Sequence, residues 1–492
     1  MDLKRDIEHG VFYNAIAKYA GVFITLAVTA VLSRVFTPEQ FGIVNIATVF
    51  ITFFNILGDM GIAPAIIQNR DLDEDDLRSI FSLSLWIAAI MAVVFIIAAF
   101  PISYFYKDTG FLRKILLILS SCIFFKTISM VPNALLYKDK KFRFVAVRTL
   151  IIQLLSGLLA IAAAVSGMGI YALTINPVMS SILLFIISYS QYPILPRLFP
   201  ARESVRKVLK FSLFQFGFQL VNYFNNNVDK LLLGKMNVGE LGYYDKSYRL
   251  IGLPSQYITY VISPVLHPVM AQIQDDKKHI ASSYMQIVKM LAYVGVIISV
   301  GMFFMSDNLI YLFFGYQWTR SILCTKILSL TIFLNLIASS SGPIFQAAND
   351  TRRLFICGVF SACCMIACVS VGVFVFRNTE GLAACVAAAT AINFLQCYNS
   401  LFRHTLKEGW KDFWKTLLGP LALAAVLVAV LWPASLLVSQ IPDRIPALII
   451  YSVLLLVASG LFIHLSGAYD VKQIINSLIC RLRNKLKKNT PA

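Results

Sequence analysis

The chain has 492 residues, of which 58% are hydrophobic and only 14% are charged, and its mean hydropathy is +0.74. Soluble domains carry roughly 25% charged residues, so this composition excludes a soluble globular protein and predicts an integral membrane protein. The formal net charge of +18 does not by itself indicate nucleic-acid binding, because membrane proteins collect Lys and Arg in their cytoplasmic loops.

Fourteen stretches of the chain are long and apolar enough to cross a bilayer, for which about 20 residues are needed. Short polar segments separate them and leave no room for a sizeable soluble domain. The predicted spans are 11–33, 41–58, 79–101, 114–135, 145–166, 169–192, 210–233, 245–268, 284–305, 320–345, 354–376, 381–402, 416–438 and 445–466. The predicted fold is therefore an all-α polytopic membrane protein with about 14 transmembrane helices.

Spans one, two and seven each carry a stripe of polar residues on one helix face, taking about 100° per residue. The stripes consist of Asn14, Lys18, Thr25 and Thr29; of Asn45, Thr48, Thr52, Asn55 and Asp59; and of Gln215, Gln219, Asn222, Asn226, Asp229 and Lys230. Hydrogen bonding between helices is the alternative explanation for any single amide. Three such stripes favour a hydrophilic cavity between helices.

Apart from residues near span ends that are counted with the loops, five lysines lie within the predicted spans, and Asp229 is the one acidic residue assigned to them. The lysines are Lys18, Lys126, Lys230, Lys289 and Lys326. Ionisable groups in a bilayer are costly and usually face a bundle interior or an aqueous cavity. Lys230 and Lys289 lie near span ends, where an amine can reach the interface, and the other three lie deeper. The excess of lysine predicts a cavity that attracts an anion, with phosphate as the expected one.

The distribution of basic residues predicts the orientation of the chain. With the N-terminus inside, the inner segments hold 28 of the 43 basic residues and the outer loops hold 10. This bias places both termini in the cytoplasm. Apolar and basic residues alternate at helical spacing in the tail, 467–492, which predicts a basic amphipathic helix on the inner surface.

No metal site and no cofactor are predicted. The cysteine cluster CCMIAC at 363–368 has no His, Asp or Glu partner nearby. The chain has no Gly-rich phosphate loop, so ATP use is not expected either. A proton or sodium gradient remains a candidate energy source. Asp229 is the candidate ion carrier, and a local charge pair with Lys230 is the alternative.

Two segments about 200 residues apart resemble each other: SRVFTPEQFGIV at 33–44 and GKMNVGELGYY at 234–244. Such self-similarity is typical of a duplicated unit, and transporters commonly place substrate at the interface between repeats. The predicted domains are a six-helix lobe at 1–200, a second six-helix lobe at 201–410 related to the first by a pseudo-twofold repeat, two additional helices at 411–466, and the tail.

Several separated sequence blocks also resemble one family, the Wzx-type polysaccharide flippases of the multidrug/oligosaccharidyl-lipid/polysaccharide exporter superfamily. The blocks are TPEQFGIVNIATVF (37–50), GDMGIAPAIIQNRDLDEDDL (58–77), GELGYYDKSYRLIGLPSQYIT (239–259), SPVLHPVMAQIQDD (263–276) and FFGYQW (313–318). The resemblance covers residues 10 to about 420.

The resemblance implies a transporter, not an enzyme, that turns undecaprenyl-pyrophosphate-linked oligosaccharide outward across the bacterial inner membrane by alternating access. It also implies a polysaccharide polymerase and a chain-length regulator as partners. The family has no motif that transfers residue by residue, so the site is assigned from the intramembrane lysines themselves. Lys18, Lys126 and Lys326 are expected to attract the pyrophosphate, with Lys230 as a further cationic candidate. Asn45, Asn55, Asn222 and Asn226 are expected to bind sugar hydroxyls.

Three other functions remain open from the sequence. A lipid II flippase has a substrate that also carries pyrophosphate. A drug or cation antiporter of the same superfamily would favour acidic residues in the cavity, opposite to the observed lysines. A membrane polysaccharide polymerase needs a sizeable outer loop or an acidic outer site, and the predicted loops offer neither.

Overall fold

The computed structural model describes residues 3–467 except 60, 70–71, 108–109, 198, 272–275, 439–440 and 442, and these described residues form helices and connecting turns without a strand. The α-helices are α1 (Leu3–Val35), α2 (Pro38–Asp59), α3 (Ile62–Gln68), α4 (Glu74–Phe105), α5 (Phe111–Ile128), α6 (Met130–Lys138), α7 (Phe142–Val165), α8 (Ala172–Gln191), α9 (Arg202–Met236), α10 (Val238–Ala271), α11 (Lys277–Phe313), α12 (Ser321–Ala338), α13 (Ser341–Ala347), α14 (Thr351–Val371), α15 (Thr379–Ser400), α16 (Trp410–Val438) and α17 (Arg444–Leu465).

Three consecutive pairs, α2 with α3, α5 with α6, and α12 with α13, each form one pass interrupted by a break, so the helices make fourteen passes. Twelve of them are long and apolar enough to cross a membrane within the described residues. The remaining two, α9 and α10, coincide with predicted spans seven and eight, and α9 carries the run of amides around Asn226. The predicted all-α polytopic architecture is confirmed.

The helices α2 and α10 begin in corresponding ways, 200 residues apart. Thr37 and Gln40 form a capping box, in which each side chain bonds the backbone N–H of the other at 3.3 and 2.9 Å. At α10 the Asn237 side chain accepts a hydrogen bond from the backbone N–H of Glu240 at 3.1 Å. These caps satisfy orphan N–H groups at each helix start, and they show that the two repeat segments share a backbone design.

The fourth pass of each six-pass repeat is broken in the same way. The first repeat breaks at Ser129, between α5 and α6, with Pro132 three residues later. The second breaks at Ser340, between α12 and α13, with Pro343 three residues later. Because proline lacks an N–H and clashes with the preceding turn, it favours a helix interruption just before it. The order of elements therefore supports the predicted duplication.

The described residues divide into two compact units. Unit 1 comprises Met1–Asp245, Phe313–Trp318 and Val373–Thr379, and unit 2 comprises Lys246–Leu312, Thr319–Gly372 and Glu380–Ala492. The helix α9 and the start of α10 thus cluster with the first six passes. The predicted lobe boundary at 200/201 stays a prediction.

Within unit 1 the starts of α2 and α10 touch reciprocally. A Cβ added at Gly42 would overlap the backbone carbonyl of Val238, and one added at Gly242 would overlap the backbone carbonyl of Pro38. Gly42 contacts Val238, and Gly242 contacts Pro38 in the same way. Such a reciprocal pair is the pattern of a contact across a local twofold axis. Only glycine allows the two backbones to approach this closely.

Three of the sequence blocks meet in unit 1 around Trp318. Its ring makes edge contacts with Phe41, Tyr243 and Phe314, at centroid distances of 5.5, 6.0 and 6.3 Å. The indole N–H donates to the carbonyl of Ser33 at 2.9 Å, near the end of α1. The FFGYQW block therefore has a structural role, because it caps α1 and joins the TPEQF and GELGYY segments.

In unit 2 the last two helices pack on α11. An apolar cluster includes Val296, Val300 and Phe304 of α11 with Leu423, Leu427 and Leu431 of α16 and Tyr451 of α17. The two added helices are thereby anchored to unit 2 by apolar burial. The predicted amphipathic tail falls on residues that lie outside the described part of the chain, apart from residue 467.

Candidate functional site

The polar residues of α2 share one face of that helix in unit 1, and we call this face the α2 stripe: Asn45, Thr48, Thr52, Asn55 and Asp59. The two threonines are exposed and bond their own helix, Thr48 to the carbonyl of Val44 and Thr52 to that of Thr48, each at 2.8 Å. Such internal bonds let a hydroxyl lie on a helix without a neighbour. The α2 stripe is therefore open along its middle.

Three buried atoms of the α2 stripe have no hydrogen-bond partner among the described residues: Asn45 Nδ2, Asn55 Oδ1 and Asp59 Oδ1. Buried polar groups in proteins are nearly always hydrogen-bonded, to protein or to ordered water. Three orphans on one helix face indicate positions that water or a polar ligand occupies.

The C-terminal end of the α2 stripe lies near Lys126 of α5. A Cβ at Gly58 would lie 2.6 Å from the hydroxyl oxygen of Thr127, so the two helices are in close contact there. Asp59 interacts electrostatically with Lys126 and accepts a hydrogen bond from the backbone of Ala63. Lys126 is exposed although it lies well inside the pass formed by α5 and α6. An exposed ammonium beside a polar helix face is typical of an aqueous cavity.

Arg148 is a second cation near the same break, and the sequence reasoning missed it. Its side chain is 4% exposed, and it donates to Ser188 Oγ at 2.7 Å and to Asn133 Oδ1 at 2.8 Å. Asn133 lies four residues after the break at Ser129, and Lys126 lies three residues before it. The position of Arg148 inside predicted span 145–166 was the signal that it belongs to a helix.

The helix α9 packs along α2 through Tyr223. The Tyr223 hydroxyl donates to the carbonyl of Val49 at 3.0 Å, and its ring lies 5.2 Å from that of Phe53. Of the candidate amides on α9, Asn226 is exposed, and the side chain of Asn222 lies outside the described part. Asn227 instead bonds its own helix at the carbonyl of Tyr223, at 2.9 Å. Among the side chains of this run that the structure describes, Asn226 is the amide that is open to a ligand.

Asp229 is buried, at 6% exposure, and held by two donors. The Tyr244 hydroxyl donates to Oδ2 at 2.7 Å, and the backbone N–H of Lys230 donates to Oδ1 at 2.8 Å. Lys230 is half-buried and adds a favourable electrostatic interaction. Both oxygens of this carboxylate are therefore engaged within unit 1.

The expectation that Asp229 is the one acid within the spans was wrong. Asp59 lies inside the pass Pro38–Ile67, and Asp307 lies inside α11. The predicted spans ended at residues 58 and 305 because the apolar stretches end there, whereas α2 continues to Asp59 and α11 continues to Phe313.

The predicted excess of lysine treated Lys326 as a cation without an acidic partner, and this was also wrong. In unit 2 its ammonium forms an ion pair with Asp307 at 2.9 Å, with both side chains partly exposed. Lys18 is exposed on α1, and it takes part in an interaction in the structure. Unit 1 therefore contains Lys126, the α2 stripe and the exposed Asn226 of α9, which packs along α2 through Tyr223, whereas Lys326 is paired with Asp307 in unit 2.

The comparisons with known proteins agree on one family and one fold. A family model described as "Polysaccharide biosynthesis protein" matches residues 31–323. The lipopolysaccharide biosynthesis protein WzxC of Escherichia coli K12 is 23% identical over 382 residues, 76% of each chain. The succinoglycan biosynthesis transport protein ExoT of Rhizobium meliloti is 21% identical over 354 residues, 71% of each chain.

A solved structure titled as the lipid II flippase MurJ in an inward closed conformation superposes with a TM-score of 0.75. The superposition covers 92% of this chain and 98% of that chain, at 18% identity. At this identity the likeness establishes a shared fold.

Proposed function

Because the chain belongs to the polysaccharide biosynthesis protein family, we propose that it is a flippase for lipid-linked oligosaccharide. In this proposal it carries undecaprenyl-pyrophosphate-linked repeat units from the cytoplasmic to the outer face of the bacterial inner membrane by alternating access. The observation that carries the proposal is the exposed Lys126 inside a membrane pass, beside the α2 stripe with its three orphan polar atoms.

The physical problem is to move a diphosphate and several sugars across about 30 Å of hydrocarbon while the polyprenyl chain stays in lipid. An isolated phosphate in hydrocarbon is prohibitively costly, so the protein must replace its hydration. Lys126 supplies a point charge for the diphosphate, and Arg148, buried behind the break, adds positive potential. The carboxylate of Asp59 orients Lys126 and lowers the net charge of the empty site.

The amides have the chemistry that sugars require. An Asn side chain offers two N–H donors and one carbonyl acceptor, which matches the mixed character of a hydroxyl. We assign sugar binding to Asn45, Asn55, Asn222 and Asn226, because Asn45 and Asn55 have orphan atoms and Asn226 is exposed. These amides are spread along α2 and α9, which suits a headgroup of several sugars.

The remaining candidate cations are assigned lesser roles. Lys18 is exposed on α1 and serves as an approach site for the diphosphate. Lys230 flanks Asp229 at the outer part of α9. Lys326 binds the diphosphate only after it leaves Asp307, so its contribution is the smallest of the set.

Net movement requires an ion gradient or consumption of the product, and we propose Asp229 as the coupling carboxylate. Replacing Asp229 with Asn keeps its shape but removes the ionisable group. The amide oxygen can still accept from the N–H of Lys230, and the amide nitrogen can donate to the Tyr244 hydroxyl, which then becomes the acceptor. Export by this variant should lose its dependence on external pH or sodium, measured in cells at equal protein level. Tyr244→Phe is the matched control, because it removes one donor and keeps the carboxylate. Unchanged dependence in Asp229→Asn would exclude coupling at this residue.

The function itself is tested by the sidedness of labelled undecaprenyl-linked oligosaccharide in the native host, with and without the gene. A sugar-modifying reagent that cannot cross the membrane reports which face holds the lipid. The proposal predicts that intact lipid-linked oligosaccharide accumulates on the inner face in the deletion strain. If the lipid-linked oligosaccharide reaches the outer face in the deletion strain but stays unpolymerised, the protein is a polymerase and the flippase proposal is wrong.

The same strains separate the two pyrophosphate substrates. A polysaccharide flippase leaves the sidedness of lipid II unchanged in the deletion strain, whereas a lipid II flippase shifts it. On the proposed topology both termini are cytoplasmic, and the product emerges where a polymerase and a chain-length regulator would use it.

A further inference from the structure

A cationic cavity lies at one end of unit 1, away from the α2 stripe and Lys126. Its volume is about 520 Å³, within the range of small-ligand sites. The residues that line it are Pro101, Ser103, Tyr104, Phe105, Lys107, Arg113 and Lys235. They come from the end of α4, the turn that follows it, the start of α5 and the end of α9. On the proposed topology this end of unit 1 faces outward.

Hydrogen bonds and a cation–π contact join the end of α4 to the end of α9 at this cavity. The Tyr106 hydroxyl donates to the carbonyl of Leu231 at 3.1 Å, joining α4 to α9. Lys235 bonds the carbonyl of Phe105, and its ammonium lies 3.4 Å from the centroid of the Phe105 ring. The cavity is therefore built by packed helix ends, which give it a defined shape.

The cavity carries more positive charge than is usual for the outer segments of a membrane protein. Outer segments of membrane proteins are poor in Lys and Arg, yet three of the ten outer basic residues line this one cavity. Among its seven described lining residues three are cationic and none is acidic, and Asp108, next to Lys107 in the chain, lies outside the described residues. Orientation of the chain does not require this concentration of charge, so a ligand of opposite charge is its simplest physical explanation.

The cations are placed to bind oxyanions. The Arg113 guanidinium donates through Nε to Ser103 Oγ at 3.4 Å and lies 5.5 Å from the Phe100 ring, which fixes its plane. A guanidinium is a planar fork of donors whose geometry matches a phosphate. Lys107 and Lys235 are exposed and add two ammonium groups at the rim.

Aromatic side chains place the cavity at the level of lipid headgroups. Tyr104 is 86% exposed, and Phe105 and Phe111 are also exposed at the same helix ends. Tyrosine and other aromatic residues concentrate at the membrane interface, where one side of the ring meets hydrocarbon and the other meets water. An anion that reaches the cavity at this depth is one carried by a lipid.

We propose that this cavity, formed by Lys107, Arg113 and Lys235 beside Tyr104 and Phe105, binds the phosphate headgroup of a lipid on the outer side. Two sources supply this chemistry, the diphosphate of the translocated polyprenyl lipid and an anionic phospholipid. The first source rests on the proposed function, since α9 runs from Asn226 past Lys230 to Lys235 and so leads from the central polar residues to the cavity. The second source does not depend on it.

The test uses the purified full-length protein and two probes, undecaprenyl diphosphate and phosphatidylglycerol, with lipid binding measured by native mass spectrometry. The variants are Arg113→Gln and Lys235→Gln, singly and together. Lys114→Gln is the matched control, because Lys114 is an exposed neighbour of Arg113 that does not line the cavity. Unchanged thermal unfolding of each variant shows that the fold is intact.

Each single variant should weaken binding of one probe by roughly tenfold, the loss of about one charge-assisted hydrogen bond, while Lys114→Gln leaves it unchanged. Selective loss of undecaprenyl diphosphate identifies the product as the ligand. Selective loss of phosphatidylglycerol identifies a phospholipid. Equal binding of both probes by the double variant and the control overturns the proposal. Because binding is measured without transport, failure of the sidedness assay and failure of this site are separate results.

Discussion

The broken fourth pass of the first repeat and that of the second repeat have the same backbone design but opposite chemistry. In the first, Lys126 precedes the break at Ser129 by three residues and is exposed beside Asp59. In the second, Ile337 precedes the break at Ser340 by three residues and is fully buried. The first break is charged and open, and the second is apolar at the corresponding position.

The polar networks around the two breaks differ in the same sense. Arg148 holds the first break through Asn133 and Ser188. The second is held by neutral hydroxyls, because Tyr284 bonds Ser340 and Tyr398, each at 2.8 Å. A duplicated unit thus keeps its helix interruption while its side chains diverge. The charged copy is the one we expect to contact the diphosphate, and the neutral copy is expected to serve stability.

The largest expected effect is at Lys126. Replacing it with Ala removes the cation and leaves Asp59 without its electrostatic partner. A lost charge-assisted contact of this kind costs about 2–5 kcal/mol, so export should fall by at least roughly thirtyfold at equal protein level. Lys126→Arg should retain part of the activity because it keeps the charge. Lys289→Ala is the control, since Lys289 is another lysine of a membrane pass, and export close to normal in Lys126→Ala would remove Lys126 from the site.

The next effect compares the two networks directly. Asn133→Ala takes away an acceptor of the buried Arg148 and should lower the free energy of unfolding by about 1.5–3 kcal/mol. Tyr398→Phe removes one neutral hydroxyl from the second break and should lower it by about 1 kcal/mol. Denaturant unfolding of the purified proteins measures both. Equal losses at the two sites would contradict the contrast between a charged and a neutral break.

A third comparison tests the symmetry that the repeats retain. Gly42→Ala and Gly242→Ala each force a methyl group against a backbone carbonyl and should each lower stability by about 1–3 kcal/mol. Gly358→Ala is the control, because nothing lies within 4 Å of a Cβ there. Thermal unfolding that ranks Gly358→Ala with the other two would show that the α2 and α10 starts are not tightly packed.

Much of the fold followed from hydropathy and self-similarity. The apolar stretches coincide with the helices, and the match between TPEQFG and NVGELG pointed to a duplication that the Gly42 and Gly242 contact now supports. These features are readable because they depend on local composition and on spacing along the chain.

The sequence did not reveal which residues the charged side chains pair with. Apolar windows ended the predicted spans at 58 and 305, so Asp59 and Asp307 fell outside them, although the helices extend to Asp59 and Phe313. Asp59 of α2 interacts with Lys126 of α5, three helices later in the chain, and Asp307 pairs with Lys326 between the consecutive helices α11 and α12. Which helix packs beside which is a tertiary property, and one sequence without relatives does not contain it.

The most direct test of the account is transport by the purified protein in liposomes that contain fluorescent undecaprenyl-pyrophosphate oligosaccharide. A quencher that cannot cross the membrane reports how much labelled headgroup lies on each side. The account predicts that wild-type protein makes the whole lipid pool accessible to the quencher, and that Lys126→Ala protein leaves about half of it protected, as in empty liposomes. Equal accessibility with both proteins would contradict the role of Lys126, and a protected pool with the wild type would contradict translocation itself.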